Sequence, residues 1–154
     1  MISDEVMREL RHIEKEIEIL KIFEVPKASS GWVYLQAPLT STSWDGDAHS
    51  TTAKTLIDLS TVFGVPPGVK AVLVKVAAND SGSAGTSCFI ALSPNNTAFE
   101  YALVCKPFDI ANDSPRHANG VVPCDNNGDI YYEIAATGVN TFDVILQIWG
   151  WELP

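Results

Sequence analysis

The chain has 154 residues, 46% of them hydrophobic, which is enough for one buried core and too apolar for a disordered segment. Nineteen acidic against ten basic side chains leave a formal net charge of −9, so the chain repels phosphate backbones and nucleic acid is a poor partner. No run approaches the roughly 18 apolar residues of a membrane span, and three cysteines without paired-ligand spacing read as small buried thiols in a reducing compartment.

The first element is a helix over Ser3–Glu24. Val6, Leu10, Ile13, Ile17 and Leu20 recur at alternating spacings of four and three, the rhythm of a helix that repeats one face against a partner helix. Leu10 and Ile17 at position a put Val6, Ile13 and Leu20 at d. Ser3 is a natural N-cap, and Asp4 and Glu5 follow in the first turn, where the helix dipole favours acids. The same acids stand where a secretory leader would be basic, so no leader is expected. Ile2, Met7 and Phe23 widen the seam, which suits three or more strands better than two. The bland alternative is one amphipathic helix lying on its own domain. The expectation is an oligomerising coiled-coil stem at 1–25, ended by Pro26, with a polar neck at 26–30.

From Gly31 the pattern changes to short β-strands separated by turn residues. Strands are expected near Trp32–Gln36, Lys54–Leu59, Val69–Ala77, Thr86–Leu92, Ala98–Cys105, Ala118–Val122, Asp129–Ala136 and Thr141–Trp151. Between them stand Gly64-Val65-Pro66-Pro67-Gly68, Asn79-Asp80-Ser81-Gly82, Ser93-Pro94-Asn95-Asn96 and Asp125-Asn126-Asn127-Gly128, each rich in turn formers. Eight strands at this spacing predict a mainly β head over 31–154, an antiparallel β-sandwich of jelly-roll type. Alternation puts Ile130, Tyr132 and Ile134 in the core, and likewise Phe142, Val144, Leu146 and Ile148. Trp149 and Trp151 then share the opposite face with Ile145, as expected of a subunit interface. Val69–Ala77 is apolar on both faces, so its second face needs a cover from a neighbouring subunit or from the head's own loops.

Catalytic signatures are absent from the reading. Ser81-Gly82-Ser83-Ala84-Gly85 lacks the first glycine of a nucleophile elbow, and His12, His49 and His117 have no companion at metal-ligand spacing. Asp125-Asn126-Asn127-Gly128-Asp129 has oxygen side chains at first, third and fifth positions, as in a calcium loop. Ile130 stands where that loop needs glycine, and a turn bounded by acids accounts for the same residues. Cys88 and Cys105 lie symmetrically about Asn96-Thr97, so a cross-strand bond and two separate thiols are both compatible with the pattern. Trp44 sits in a polar loop beside Asp45 and Asp47, the composition of a sugar-stacking platform and equally of a loop that caps a core edge. No cofactor and no metal are expected.

Three stretches carry a resemblance: Thr55–Ser60 with Gly64–Val74, then Asp129–Ile134, then Val144–Trp151. Together with the stem, the chain resembles the trimeric fibre and capsid-decoration proteins of tailed bacteriophages. The resemblance implies a non-enzymatic homotrimer made in the host cytoplasm and displayed on the virion surface. It would contact other virion proteins and, in some cases, host-surface glycans, with no membrane partner. The chain lacks a long fibrous shaft, so a head fibre, decoration or short tail spike is implied, and no site residues carry over. A lectin-like carbohydrate-binding module, with Trp44, Asp45 and Asp47 as contacts, is the competing expectation.

Overall fold

The computed structural model describes residues 31–41, 43–44, 53–81, 88–107, 114–136, 138 and 141–154. The stem and neck, with Val6, Leu10, Ile13, Ile17 and Leu20, lie outside the described residues, as do Asp45 and Asp47. In chain order the elements are β1 (Trp32–Leu39), β2 (Thr55–Ile57), α1 (Leu59–Phe63), β3 (Ala71–Asp80), β4 (Phe89–Ser93), β5 (Leu103–Cys105), β6 (Arg116–Pro123), β7 (Ile130–Ala135) and β8 (Phe142–Glu152). Each of the eight strands falls where the alternation placed one. The single-turn helix α1 was not foreseen. Asp58 caps its start by accepting the Thr61 N–H at 2.8 Å, and Gly64 closes it with a left-handed φ of 75°.

The strands form two four-stranded antiparallel sheets packed face to face, ordered β1-β8-β3-β6 and β2-β7-β4-β5. Each of the pairs β4–β5, β3–β6, β2–β7 and β1–β8 lies within one sheet, nested like a long hairpin rolled over on itself. Apolar side chains of both inner faces meet between the sheets: Val72, Val74, Val76, Phe142 and Ile148 from one, Ile57, Ile90, Leu92, Ile130 and Ile134 from the other, all about 1% exposed or less. Leu59, Phe63 and Val65, on α1 and the turn after it, close one end of this core.

Two face assignments change. Val69 precedes β3 and packs into the core cluster, so it does not belong to an outer face. The second face of β3 is therefore Ala71, Leu73, Lys75 and Ala77, with Lys75 exposed, and it is less apolar than the alternation predicts. In β8 the register skips: Gly150 pairs with Leu73 and Ile148 with Val74, leaving Trp149 as an inserted residue. A β-bulge reverses the in–out parity after it. Trp151 therefore sits opposite Val72 and packs against the core, whereas Trp149 stays on the outer face and donates to Gln147 Oε1 at 3.3 Å.

Two glycines are demanded by close approach. A Cβ on Gly128 (φ 91°) would fall 2.6 Å from the Gly68 backbone nitrogen, and one on Gly150 would meet the Val33 carbonyl oxygen. No disulfide joins the cysteines among the described residues. The Cys105 thiol lies 3.5 Å from the Arg116 carbonyl oxygen, and burial pushes Cys124 up to about 12.

Candidate functional site

The outer faces of the two sheets differ. On the β2-β7-β4-β5 sheet, Ala91 and Ser93 pair with the outward Glu133 and Tyr131, yet both are buried. Their cover is the loop between β4 and β5, residues 94–102. Several hydrogen bonds fold this loop down. Ser93 Oγ donates to the Asn95 carbonyl at 2.8 Å, and Asn95 Oδ1 accepts from the Thr97 N–H at 2.9 Å. Asn95 Nδ2 reaches Glu100 Oε2 at 2.8 Å, and the Ala102 N–H returns to the Leu92 carbonyl at 2.8 Å.

Lys54, just before β2, clamps the loop from the neighbouring edge. Its ammonium donates to the carbonyl oxygens of Glu100 and, at 3.4 Å, Asn95, while standing 4.9 Å from the centre of the Tyr101 ring. Tyr101 also packs on Phe89, with centroids 6.0 Å apart, and donates its hydroxyl to Glu133 Oε2 at 2.9 Å. Burial, and then Glu133, push the Tyr101 hydroxyl above its ordinary value, so it remains a donor at neutral pH.

The loop crosses a cleft of about 310 Å³ lined by Ala53, Lys54, Asn96, Ala98, Phe99, Tyr101 and Glu133. Phe99 stands at its rim, 87% exposed, with a left-handed φ of 65°. It is the one non-glycine with positive φ among the described residues. A bulky residue in that region is a genuine outlier. The strand expected at Ala98–Cys105 therefore begins only at Leu103, because the Asn95 turn and the Lys54 clamp hold residues 98–102 out of the sheet.

The sequence-predicted site residues fare differently. Trp44 is half-buried against the core, its ring edge-on to Tyr132 at 5.4 Å, which is the geometry of the core-edge cap and not of an open platform. The Asp125–Asp129 loop is a turn stapled by its own carboxylate: Asp125 Oδ1 accepts from the N–H groups of Asn127 at 2.8 Å and Asp129 at 3.0 Å. Asp129 Oδ1 takes the Leu59 N–H at 2.9 Å, and among the described residues no three His, Cys, Asp or Glu side chains converge as metal ligands. Burial pushes Asp129 above the ordinary carboxylate range, and the nearby charges of Asp58 and Asp125 add to this, against the Leu59 hydrogen bond.

The cleft was missed in the sequence. Its visible signals were modest: Lys54 is the single Lys or Arg between Lys27 and Lys70, and Phe99 comes three residues after the Asn95-Asn96 pair.

Among the described residues, no loop covers the other sheet, β1-β8-β3-β6, in this way. One row across all four of its strands reads Tyr34, Gly150, Leu73 and Val121. Tyr34 is 71% exposed, Val121 48% and, two rows away, Ile145 60%. Trp32 stacks beside Tyr34 with centroids 6.2 Å apart. Set against known proteins, the chain matches no family model and no curated sequence.

Proposed function

We infer that the protein is a non-enzymatic structural module that displays its β-sandwich as a homo-oligomer, a trimer in the reading that best joins stem and head. The outer face of the β1-β8-β3-β6 sheet, which no described loop covers, carries this reading. Tyr34, Leu73, Val121 and Trp149 form an apolar strip, with Ile145 beyond the polar row of Asn119, Lys75 and Gln147, the make-up of an interaction patch on an otherwise acidic chain. The occupant proposed for it is a second copy. In sequence the expected stem precedes β1 by only the neck at 26–30, so copies joined by their stems would bring Trp32 and Tyr34 of neighbouring heads together. Three short heptads are marginal by themselves, and an apolar head contact supplies what they lack.

The nested strand order supports the finer description of the head as a jelly roll, an architecture shared by viral capsid and lectin domains. Fold alone does not assign function. The virion setting therefore rests on the resemblance of the stem-plus-sandwich organisation, as capsid decoration, head fibre or short tail spike. Its mechanism is geometric: the stem sets register, the heads bury apolar faces, and repeated display strengthens weak surface contacts.

Light scattering on the full chain tests this. About three times the 16.7 kDa chain mass is expected, and Ile145→Asp with Tyr34→Glu should lower it. A monomer at micromolar concentration overturns the reading. Removal of residues 1–24 is expected to weaken the oligomer and leave a folded head.

A further inference from the structure

We propose that the cleft beneath the β4–β5 loop is a binding site for a neutral pyranose sugar, with Phe99 as its stacking platform and Glu133 and Asn96 as its hydroxyl partners. The site lies on the sheet opposite the apolar face assigned to assembly, and it stands independently of that assignment.

Four observations carry it. The first is Phe99 itself. A large apolar ring that is 87% exposed gains little from folding, and a left-handed backbone at the same residue costs stability. Such a conformation persists where surrounding bonds over-determine it, as the Asn95, Thr97, Glu100 and Lys54 contacts do here, and it aims the ring outward at the rim of the cleft. Second, the cleft's volume of about 310 Å³ lies at the low end of small-ligand pockets, which run from about 300 to 1,000 Å³, and so suits one sugar ring.

Third, the polar groups are spaced for hydroxyls. Tyr101 occupies Glu133 Oε2, and Oε1 has no partner among the described residues, so it is left to accept from a ligand hydroxyl. The Asn96 amide, exposed on the loop, offers both a donor and an acceptor. Fourth, charge selects against other classes. Lys54 turns two of its three N–H groups and its ring contact inward, to two carbonyl oxygens and Tyr101, and the Glu133 carboxylate beside it, on a chain of net charge −9, disfavours an anion. A wholly apolar ligand would strip water from Glu133 without replacing its hydrogen bonds. A pyranose meets both demands, with an apolar C–H face for Phe99 and hydroxyls for the carboxylate and amide.

The test is saturation-transfer NMR on the full chain with four methyl glycosides (glucoside, galactoside, mannoside and N-acetylglucosaminide) and sialyllactose as the anionic arm. Titration to about 50 mM reaches dissociation constants of millimolar size. Saturable transfer to the C–H protons of at least one neutral glycoside is expected. It should be at least tenfold weaker in Phe99→Ala and in Glu133→Gln, and retained in Phe99→Trp. Because Phe99 is exposed, its variants keep the fold, and a circular-dichroism melt on each sample checks this. Absence of transfer from every neutral glycoside, binding unchanged in Phe99→Ala, or tighter binding of sialyllactose would each overturn the proposal. Oligomeric mass measured on the same samples reports separately on the assembly reading.

Discussion

Phe99 allows the backbone and the ring to be separated by two substitutions at one position. An L-residue held in the left-handed region loses about 1–2 kcal/mol, a penalty glycine escapes. Glycine gives back about 0.4–1 kcal/mol through the greater freedom of its unfolded chain. Phe99→Gly should therefore be more stable than Phe99→Ala by about 0.5–1 kcal/mol. The ring contributes little to either comparison. With 87% of the residue exposed, roughly an eighth of a phenylalanine's area of about 200 Å² is covered, and at about 25 cal/mol per Å² that amounts to about 0.6 kcal/mol. Phe99→Ala should thus cost no more than that. Urea unfolding of the three proteins at one protein concentration measures both differences, and thermal melts should separate Gly from Ala by about 1–4 °C for a chain of this size. Glycine falling below alanine would show that φ at 99 is not left-handed in solution. A loss above about 2 kcal/mol in Phe99→Ala would show that the ring is packed, and the case for an open platform would go with it.

Other substitutions probe the rest of the molecule. Asp129 has a raised pKa in the fold, so its contribution is fully present below the ordinary value of 3.8 and is lost as pH rises through the folded value. Asp129→Asn keeps an acceptor for the Leu59 N–H and removes the charge, so it should stabilise at pH 7 by no more than about 1 kcal/mol, with the gain vanishing below pH 4 in paired urea titrations. Cys124, pushed up to about 12 against an ordinary 9.0, should carry about a thousandfold less thiolate than an exposed cysteine; iodoacetamide at pH 8 should label it only after unfolding, as mass spectrometry would show. The Trp151 indole N–H is buried without a hydrogen-bond partner among the described residues, so Trp151→Phe should cost under about 1 kcal/mol and Trp151→Ala about 3–5 kcal/mol. A larger loss in the Phe variant would mean that the N–H is satisfied in the assembly. Ile148→Ala, at 0% exposure between the sheets, should cost about 2–5 kcal/mol by denaturant unfolding without altering sugar binding.

Much of the head could be read from one dimension because strand alternation is a local property. Ile130, Tyr132 and Ile134 point inward in a two-residue period whatever the rest of the chain does, and turn residues mark where each strand must stop. The same locality explains the misplaced faces. Parity holds only until a bulge, and nothing in Gln147-Ile148-Trp149-Gly150-Trp151 announces that Trp149 is the extra residue. That choice follows from Gly150 lying against the Val33 carbonyl of β1, a strand more than a hundred residues earlier in the chain.

Sequence by itself determined that the described head is a β-strand domain with inward apolar stripes on β7 and β8, because hydrophobic period and turn chemistry are short-range. Tertiary structure alone decided which outer face the described β4–β5 loop covers. The cleft exists because Lys54 grips carbonyl oxygens 41 and 46 positions further along the chain, and because Glu133 of β7 meets Tyr101 across 32 residues. Those distances in sequence collapse only when the strands pair, since each contact depends on a register that no neighbouring residue encodes. Phe99 shows the same division: its identity is local, and the left-handed turn that presents it is imposed by the loop folded over the sheet.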